Sequence, residues 1–174
     1  SGILIIILSP ILIVLSVMIK LDSEGPVLFK QVRVTSYGKN FKIWKFRTMV
    51  NNADKIGTQV TTKGDSRITR VGHLLRKVRL DELPQLFNVL AGDMTFVGTR
   101  PEVPKYVECY TDEMKATLLL PAGITSRASI EYKDEERLLN GEGDPDKIYI
   151  EQILPEKMLK TQIPHMFRKY YRKR

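Results

Sequence analysis

Two adjacent carboxylates, Asp81 and Glu82, follow closely on Arg76 and Arg79. A pair of acids is more often a solvated helix face or a cap than a site, so the neighbours decide what it is worth. A helix starting at Asp81 would put both acids in its first turn. Unpaired N–H groups there carry a partial positive charge of about half a unit and favour anions. A carboxylate at such a place stays ionised and can act as a nucleophile or a metal ligand. Arginines grip phosphate oxygens through paired N–H donors. Two anions facing a diphosphate would repel it, so a divalent cation is required between them. Mg2+ prefers carboxylate and phosphate oxygens and keeps several waters. These residues therefore outline a site that cuts a diphosphate, with Asp81 attacking and Glu82 helping to hold Mg2+. Such chemistry needs positioning and charge neutralisation more than proton traffic. Taken alone it is one sketch among several.

The elements around the dyad follow from the patterning. Asp65 or Ser66 can cap a helix reaching about Arg79, with Ile68, Val71, Leu74, Leu75 and Val78 on its apolar face. A second helix is expected from Asp81. Pro84 is tolerated in its first turn, Leu83, Leu86, Phe87 and Leu90 form its stripe, and Gly92 stops it. Val27–Arg33 and Phe41–Phe46 alternate around the turn Ser36–Asn40 and read as a hairpin. Lys45 and Arg47 lie on its returning strand, either as a solvated face or facing substrate. Asn51–Lys63 reads as a polar loop, Gly98–Pro101 as a loop, and Pro104 as the start of a helix through Leu119. Lys133–Leu139 reads as a short charged helix and Asn140–Asp146 as a loop. Ile148–Leu154 and Lys157–Phe167 are weaker helix candidates. The expected class is α+β, mostly helical with a small β-hairpin.

The chain begins with near-unbroken aliphatic runs, Ile3–Leu8 and Ile11–Leu15, continued by Val17–Ile19. A helix over that stretch is about 17 residues or roughly 25 Å long, against a hydrocarbon core of roughly 30 Å. Pro10 in its middle predicts a kink, and the Ser9 hydroxyl can satisfy a carbonyl that Pro10 frees. A kinked helix in lipid can turn back instead of crossing. The apolar residues cover every face, unlike an amphipathic core helix, and no small-residue cleavage site precedes Lys20–Asp22. Two parts are expected: a membrane helix over 1–20 and a catalytic unit over 21–174.

Composition sets wider bounds. The 174 residues fit one domain, 43% hydrophobic content supports a core, and a net charge of +8 favours anionic partners. One cysteine, Cys109, rules out an internal disulfide and is expected to be a small, partly buried residue. His73 and His165 have no partners that would make a metal site. No nucleic-acid motif is present, so nucleic acid is not an expected partner.

Several segments, taken in order, resemble the bacterial sugar transferase family of monotopic phosphoglycosyl transferases. They are Leu8–Pro10, Gly25–Val27, Lys30–Arg33, Lys45–Met49, Arg67–Gly72, Leu80–Leu86, Gly92–Met94 and Gly98–Glu102. One fragment such as Lys45–Phe46–Arg47–Thr48–Met49 would be modest support, whereas the ordered set is specific. The resemblance implies that Asp81 attacks the sugar-linked phosphate of a UDP-sugar, so that UMP leaves and a phosphosugar stays on the carboxylate. A polyprenyl phosphate, typically undecaprenyl phosphate, then takes the phosphosugar. It further implies that Glu82 supports Mg2+, that Arg76 and Arg100 hold phosphates, and that Ser9–Pro10 marks the break of a re-entrant helix. That helix would seat the protein in the bilayer at the cytoplasmic face of the bacterial inner membrane. Such enzymes initiate capsule, exopolysaccharide, O-antigen or glycoprotein glycan assembly.

Two departures stand out. The basic stretch and acidic residue that usually precede the apolar helix are not seen before Ser1–Gly2. After Pro121, Ala122 intervenes before Gly123, and Ser126–Ser129 replaces the usual Thr–Gly–aromatic segment, which leaves the sugar open. The basic end Met166–Arg174, with Tyr170 and Tyr171, suits anionic lipid heads or a frayed tail. Two competing readings are a basic binding module without catalysis and a transferase that moves the sugar without its phosphate, releasing UDP.

Overall fold

The computed structural model describes residues 1–53, 56, 61, 64–132 and 144–161. The expectations for Lys133–Leu139, for His165 and for Met166–Arg174 lie outside these residues, as does part of the loop 51–63.

Helix α1 runs from Gly2 to Asp22 without interruption at Pro10. Proline removes the N–H that would reach the Ile6 carbonyl. The Ser9 hydroxyl donates to that carbonyl instead, at 2.8 Å. The expected bond is present, and the helix continues through the predicted break. Among the described residues α1 is the one helix long and apolar enough to cross a membrane. Its inner side, through Leu15 and Ile19, packs on Phe46 and Leu75. Ile3, Ile6, Ile7 and Ile13 remain exposed on its outer side.

The C-terminal end of α1 is held by Arg47, which is 5% exposed. Its guanidinium donates to the carbonyls of Ile19 at 3.3 Å, Ser23 at 2.7 Å and Glu24. This is where a cation belongs, since the last carbonyls of a helix lack N–H partners. Gly25 has φ 123°, and a Cβ there would lie 2.1 Å from an Arg47 guanidinium nitrogen, so only glycine fits beside it. Asp22 then accepts from the Val71 N–H at 3.0 Å, tying the end of α1 to the next helix. Arg47→Met is expected to leave these carbonyls unpaired and to destabilise the fold by about 2–4 kcal/mol. Chemical denaturation in detergent measures this directly.

The hairpin forms where alternation placed it. Strand β1, Leu28–Val34, pairs antiparallel with β2, Asn40–Phe46, from Leu28 opposite Phe46 to Val34 opposite Asn40. Phe41 and Ile43 of β2 bury against Met94 and Ala122.

Helix α2 spans Arg70–Lys77, later than expected. Residues 67–69 are instead extended against 48–50: Val50 N–H donates to the Arg67 carbonyl and Thr69 N–H to the Thr48 carbonyl. Asp65 bonds Arg67 at 2.6 Å, so it is not the cap. Thr69 caps, accepting from the Gly72 N–H at 3.0 Å. Gly72 is needed for this approach, because a Cβ there would sit 2.1 Å from the Thr48 carbonyl oxygen.

Helix α3 is Gln85–Ala91, with Pro84 at its N-cap and Gly92 closing it at φ 82°. It starts four residues later than the sequence pattern predicts, because Leu80–Glu82 forms a separate 3-10 turn. A second small sheet was not expected. Strand β3, Thr95–Val97, pairs in parallel with β4, Gly123–Thr125. The single helix expected from Pro104 to Leu119 is broken into α4, Pro104–Val107, α5, Asp112–Lys115, and a 3-10 turn, Ala116–Leu119. Thr111 supplies a new N-cap between them, accepting from the Met114 N–H. Cys109 is exposed, not partly buried.

The remaining elements are α6, Arg127–Glu131, capped by Ser126, then α7, Pro145–Ile148, a π-helical stretch Tyr149–Ile153, and α8, Leu154–Thr161. Tyr149, Ile153, Leu154 and Met158 bury against Val103, Tyr106, Tyr110 and Met114. That cluster brings the last described elements to the same cavity as the hairpin and the 3-10 turn.

Candidate active site

A cavity of about 520 Å³ opens between the hairpin, α2, the 3-10 turn Leu80–Glu82 and the elements after residue 126. Asp81 and Glu82 line it and are 8% and 9% exposed. The turn that carries them follows Arg79, whose backbone is left-handed at φ 59°. The dyad is thus placed by a strained turn ahead of α3, and not by the first turn of an α-helix.

The two acids have unlike surroundings. Glu82 Oε1 accepts from Lys45 Nζ at 2.9 Å and from Arg100 Nη2 at 3.3 Å. Burial alone would raise its pKa, but the Lys45 and Arg100 charges overcome this and hold the carboxyl at about 2. Asp81 Oδ1 is buried and accepts no hydrogen bond among the described residues. Burial is the main cause that raises the Asp81 pKa, and the neighbouring Glu82 charge adds to it, against Lys45, Arg76 and Arg79. A buried carboxylate oxygen without a donor is costly and commonly marks chemistry that happens when substrate arrives.

The cations expected at the site separate into groups. Arg76 lines the cavity, its Nε donating to Thr48 Oγ1 at 3.0 Å. Lys45 and Arg100 reach the site through Glu82. Arg79 also lines the cavity. Arg47 borders it too, but its guanidinium is turned to the end of α1. Ser9 and Pro10 lie on α1 and do not line the cavity.

Among the described residues no three His, Cys, Asp or Glu side chains gather in metal-binding range. The candidate donors are the two carboxylates of Asp81 and Glu82. That set fits Mg2+, which takes one or two carboxylates and fills its shell with waters and substrate phosphate. Asp81 Oδ1 has no hydrogen-bond donor among the described residues, while Glu82 Oε1 already serves Lys45 and Arg100.

One part of the cavity wall went unnoticed in the sequence. Lys157 on α8 and Tyr149 line the cavity and are each 2% exposed. Both bond Glu102, at 3.1 Å for the Lys157 ion pair and 2.8 Å for the Tyr149 hydroxyl. Glu102 also pairs with Arg33, at 3.6 Å. Lys157 sits in a short polar-apolar mixture whose spacing signals only a helix, so nothing local marks it as buried.

Comparison with known proteins gives the same family as the motifs. The family described as Bacterial sugar transferase matches residues 1–163. The chain is 48% identical over 106 residues to a UDP-N-acetylgalactosamine-undecaprenyl-phosphate N-acetylgalactosaminephosphotransferase of Aeromonas hydrophila, covering 61% of this chain and 25% of that protein. It is 42% identical over 134 residues to a UDP-glucose:undecaprenyl-phosphate glucose-1-phosphate transferase of Escherichia coli K12, covering 75% of this chain and 29% of that protein. An exopolysaccharide production protein of Rhizobium leguminosarum is 50% identical over 96 residues, 55% of this chain and 48% of its own length. The chain therefore spans from a quarter to about half of these three relatives. With the family match running over residues 1–163, the chain belongs to the bacterial sugar transferase family.

Proposed function

We propose that this chain transfers a sugar-1-phosphate from a UDP-sugar to a polyprenyl phosphate, undecaprenyl phosphate in the first instance, and releases UMP. The observation that carries this reading is Asp81 Oδ1, buried and without a donor in a cavity bordered by Arg76, Arg79, Lys45 and Arg100. In the first half-reaction an Asp81 oxygen attacks the phosphorus that bears the sugar. The phosphoanhydride bond breaks and UMP departs with its electron pair. In the second, a phosphate oxygen of the polyprenyl phosphate attacks the same phosphorus and Asp81 is restored as a carboxylate. Bound Mg2+ would neutralise charge on the donor diphosphate and on the leaving UMP. Arg76 and Arg100 hold phosphate oxygens, and Lys45 keeps Glu82 ionised and in place.

The named relatives support the class of reaction, since two of them carry undecaprenyl phosphate and a UDP-sugar in their names. Their sugars differ, one N-acetylgalactosamine and the other glucose. The exposed aliphatic side of α1 suits a lipid surface at the cytoplasmic leaflet, where a polyprenyl phosphate presents its head. The product would begin a membrane-bound glycan.

The test is the identity of the released nucleotide. Detergent-solubilised protein with Mg2+, undecaprenyl phosphate and a panel of UDP-sugars is expected to release UMP from at least one donor. Release of UDP would mean transfer of the sugar alone. Absence of any turnover beside salt-sensitive binding to polyanions would favour a basic binding module.

A further inference from the structure

Glu102 stands two residues after Arg100 and is gripped from both sides. On the hairpin side, Val34 N–H donates to the Glu102 carbonyl at 3.0 Å and Arg33 donates to the Pro101 carbonyl at 3.2 Å. On the other side, Lys157 Nζ lies 3.1 Å from Glu102 Oε1 and 2.8 Å from the Tyr149 hydroxyl. Lys157 is almost wholly buried beside Leu154 and Met158, which are also inaccessible. An apolar side chain of similar volume would serve packing at that place as well or better, since burying a charge is costly even when it is paired. Packing therefore does not explain the lysine.

Its charge has a more specific consequence. Arg100 lies close enough to Glu102 for the two charges to act on each other. It nonetheless points to Glu82, at 3.3 Å. The Glu102 carboxylate is already paired with Lys157 at 3.1 Å and with Arg33 at 3.6 Å, and Arg100 serves the Glu82 carboxylate beside the nucleophile. We propose that Lys157 is a positioning residue for the donor diphosphate: by neutralising Glu102 together with Arg33 it leaves Arg100 turned toward Glu82 and the substrate phosphates. The elements after residue 144 are on this account part of the active unit, and not a passive cover. The assignment of Arg100 to phosphate rests on the function proposed above.

The experiment uses the full chain in detergent and UDP with Mg2+ as the probe, read by titration calorimetry with thermal unfolding alongside. Lys157→Met is expected to weaken UDP binding about tenfold. Adding Glu102→Gln removes the Glu102 charge and is expected to bring affinity back to within about threefold of wild type. In an Arg100→Ala background, Lys157→Met is expected to change affinity less than about twofold. A residue that only stabilises the fold would give neither the rescue nor the dependence on Arg100. A double variant as weak as Lys157→Met, or an equal loss in the Arg100→Ala background, overturns the inference. Should Lys157→Met fail to fold, the charge-balanced double variant is compared with wild type: retained UDP affinity supports the inference and a tenfold loss overturns it. A wild type that binds no UDP also overturns it. A wild type that binds UDP but releases no UMP from any donor sinks the catalytic reading while leaving the positioning test readable.

Discussion

Asp81→Asn is expected to remove UMP release by a factor on the order of 10³ or more while making the fold more stable. The first effect follows from the role of the oxygen. An amide of the same shape keeps the packing of the turn but has no carboxylate to attack phosphorus. The second effect follows from the environment. Burial raises the Asp81 pKa above its ordinary 3.8, so the folded protein binds this proton more tightly than the unfolded chain. The ionised form therefore weakens the fold. That penalty is absent below the unfolded value, grows as pH rises through the interval up to the folded value, and is fully present above it. Asparagine removes it, so the variant is expected to melt at a higher temperature than wild type at pH 7. The same shift predicts an acid limb in kcat/KM of the wild type lying above the ordinary aspartate range. A variant that is less stable and partly active would make Asp81 a structural acid. Full activity would end its role as nucleophile.

The legible part of this protein is what local pattern controls. Alternation in Val27–Phe46 announced a hairpin, and β1 and β2 formed there. Ser9 beside Pro10 announced a donor for the freed carbonyl, and the bond to Ile6 is made. Gly92 announced the end of α3. What local pattern could not show depended on partners distant in the chain. The start of α2 moved to Arg70 because residues 67–69 pair with residues 48–50. The turn holding Asp81 and Glu82 is 3-10 because Arg79 takes a left-handed backbone just before it. The parallel pairing of Thr95–Val97 with Gly123–Thr125 joins two three-residue strands too short to signal themselves. Arg47 shows the same limit within the site. Its place after the returning strand leaves a solvated face and a substrate contact both open, whereas its guanidinium caps the C-terminal end of α1. Asp81, Glu82, Lys45, Arg76 and Arg100 line one cavity. Lys157 was invisible because its partner lies 55 positions earlier, at Glu102.

Glu82→Gln is the second large effect, and it separates the two acids by sign. Glutamine keeps an acceptor oxygen near Lys45 and Arg100 but removes the charge that both of them answer. A carboxyl held at about 2 against an ordinary 4.5 corresponds to about 3 kcal/mol of stability at neutral pH. Because the folded value is the lower one, this contribution is present above the unfolded value and is lost as pH falls from 4.5 towards 2. The variant is thus expected to be about 3 kcal/mol less stable than wild type at pH 7, with the gap closing through that acid interval. Asp81→Asn is expected to move stability the other way at the same pH. Lys45 bears on the size of the gap. Burial already pulls its pKa below the usual value, and Glu82 is the main charge that opposes this. Without Glu82, Lys45 gives up its proton more readily, which trims the cost at alkaline pH. Activity should fall about 10²-fold, because Arg100 and Lys45 lose the anchor that fixes them beside the nucleophile. Denaturation of wild type and variant at pH 7 and pH 3, together with UMP release at pH 7, measures all of this. A stability gap that does not change between the two pH values would mean that Glu82 is not the charge holding Lys45 and Arg100 in the cavity wall.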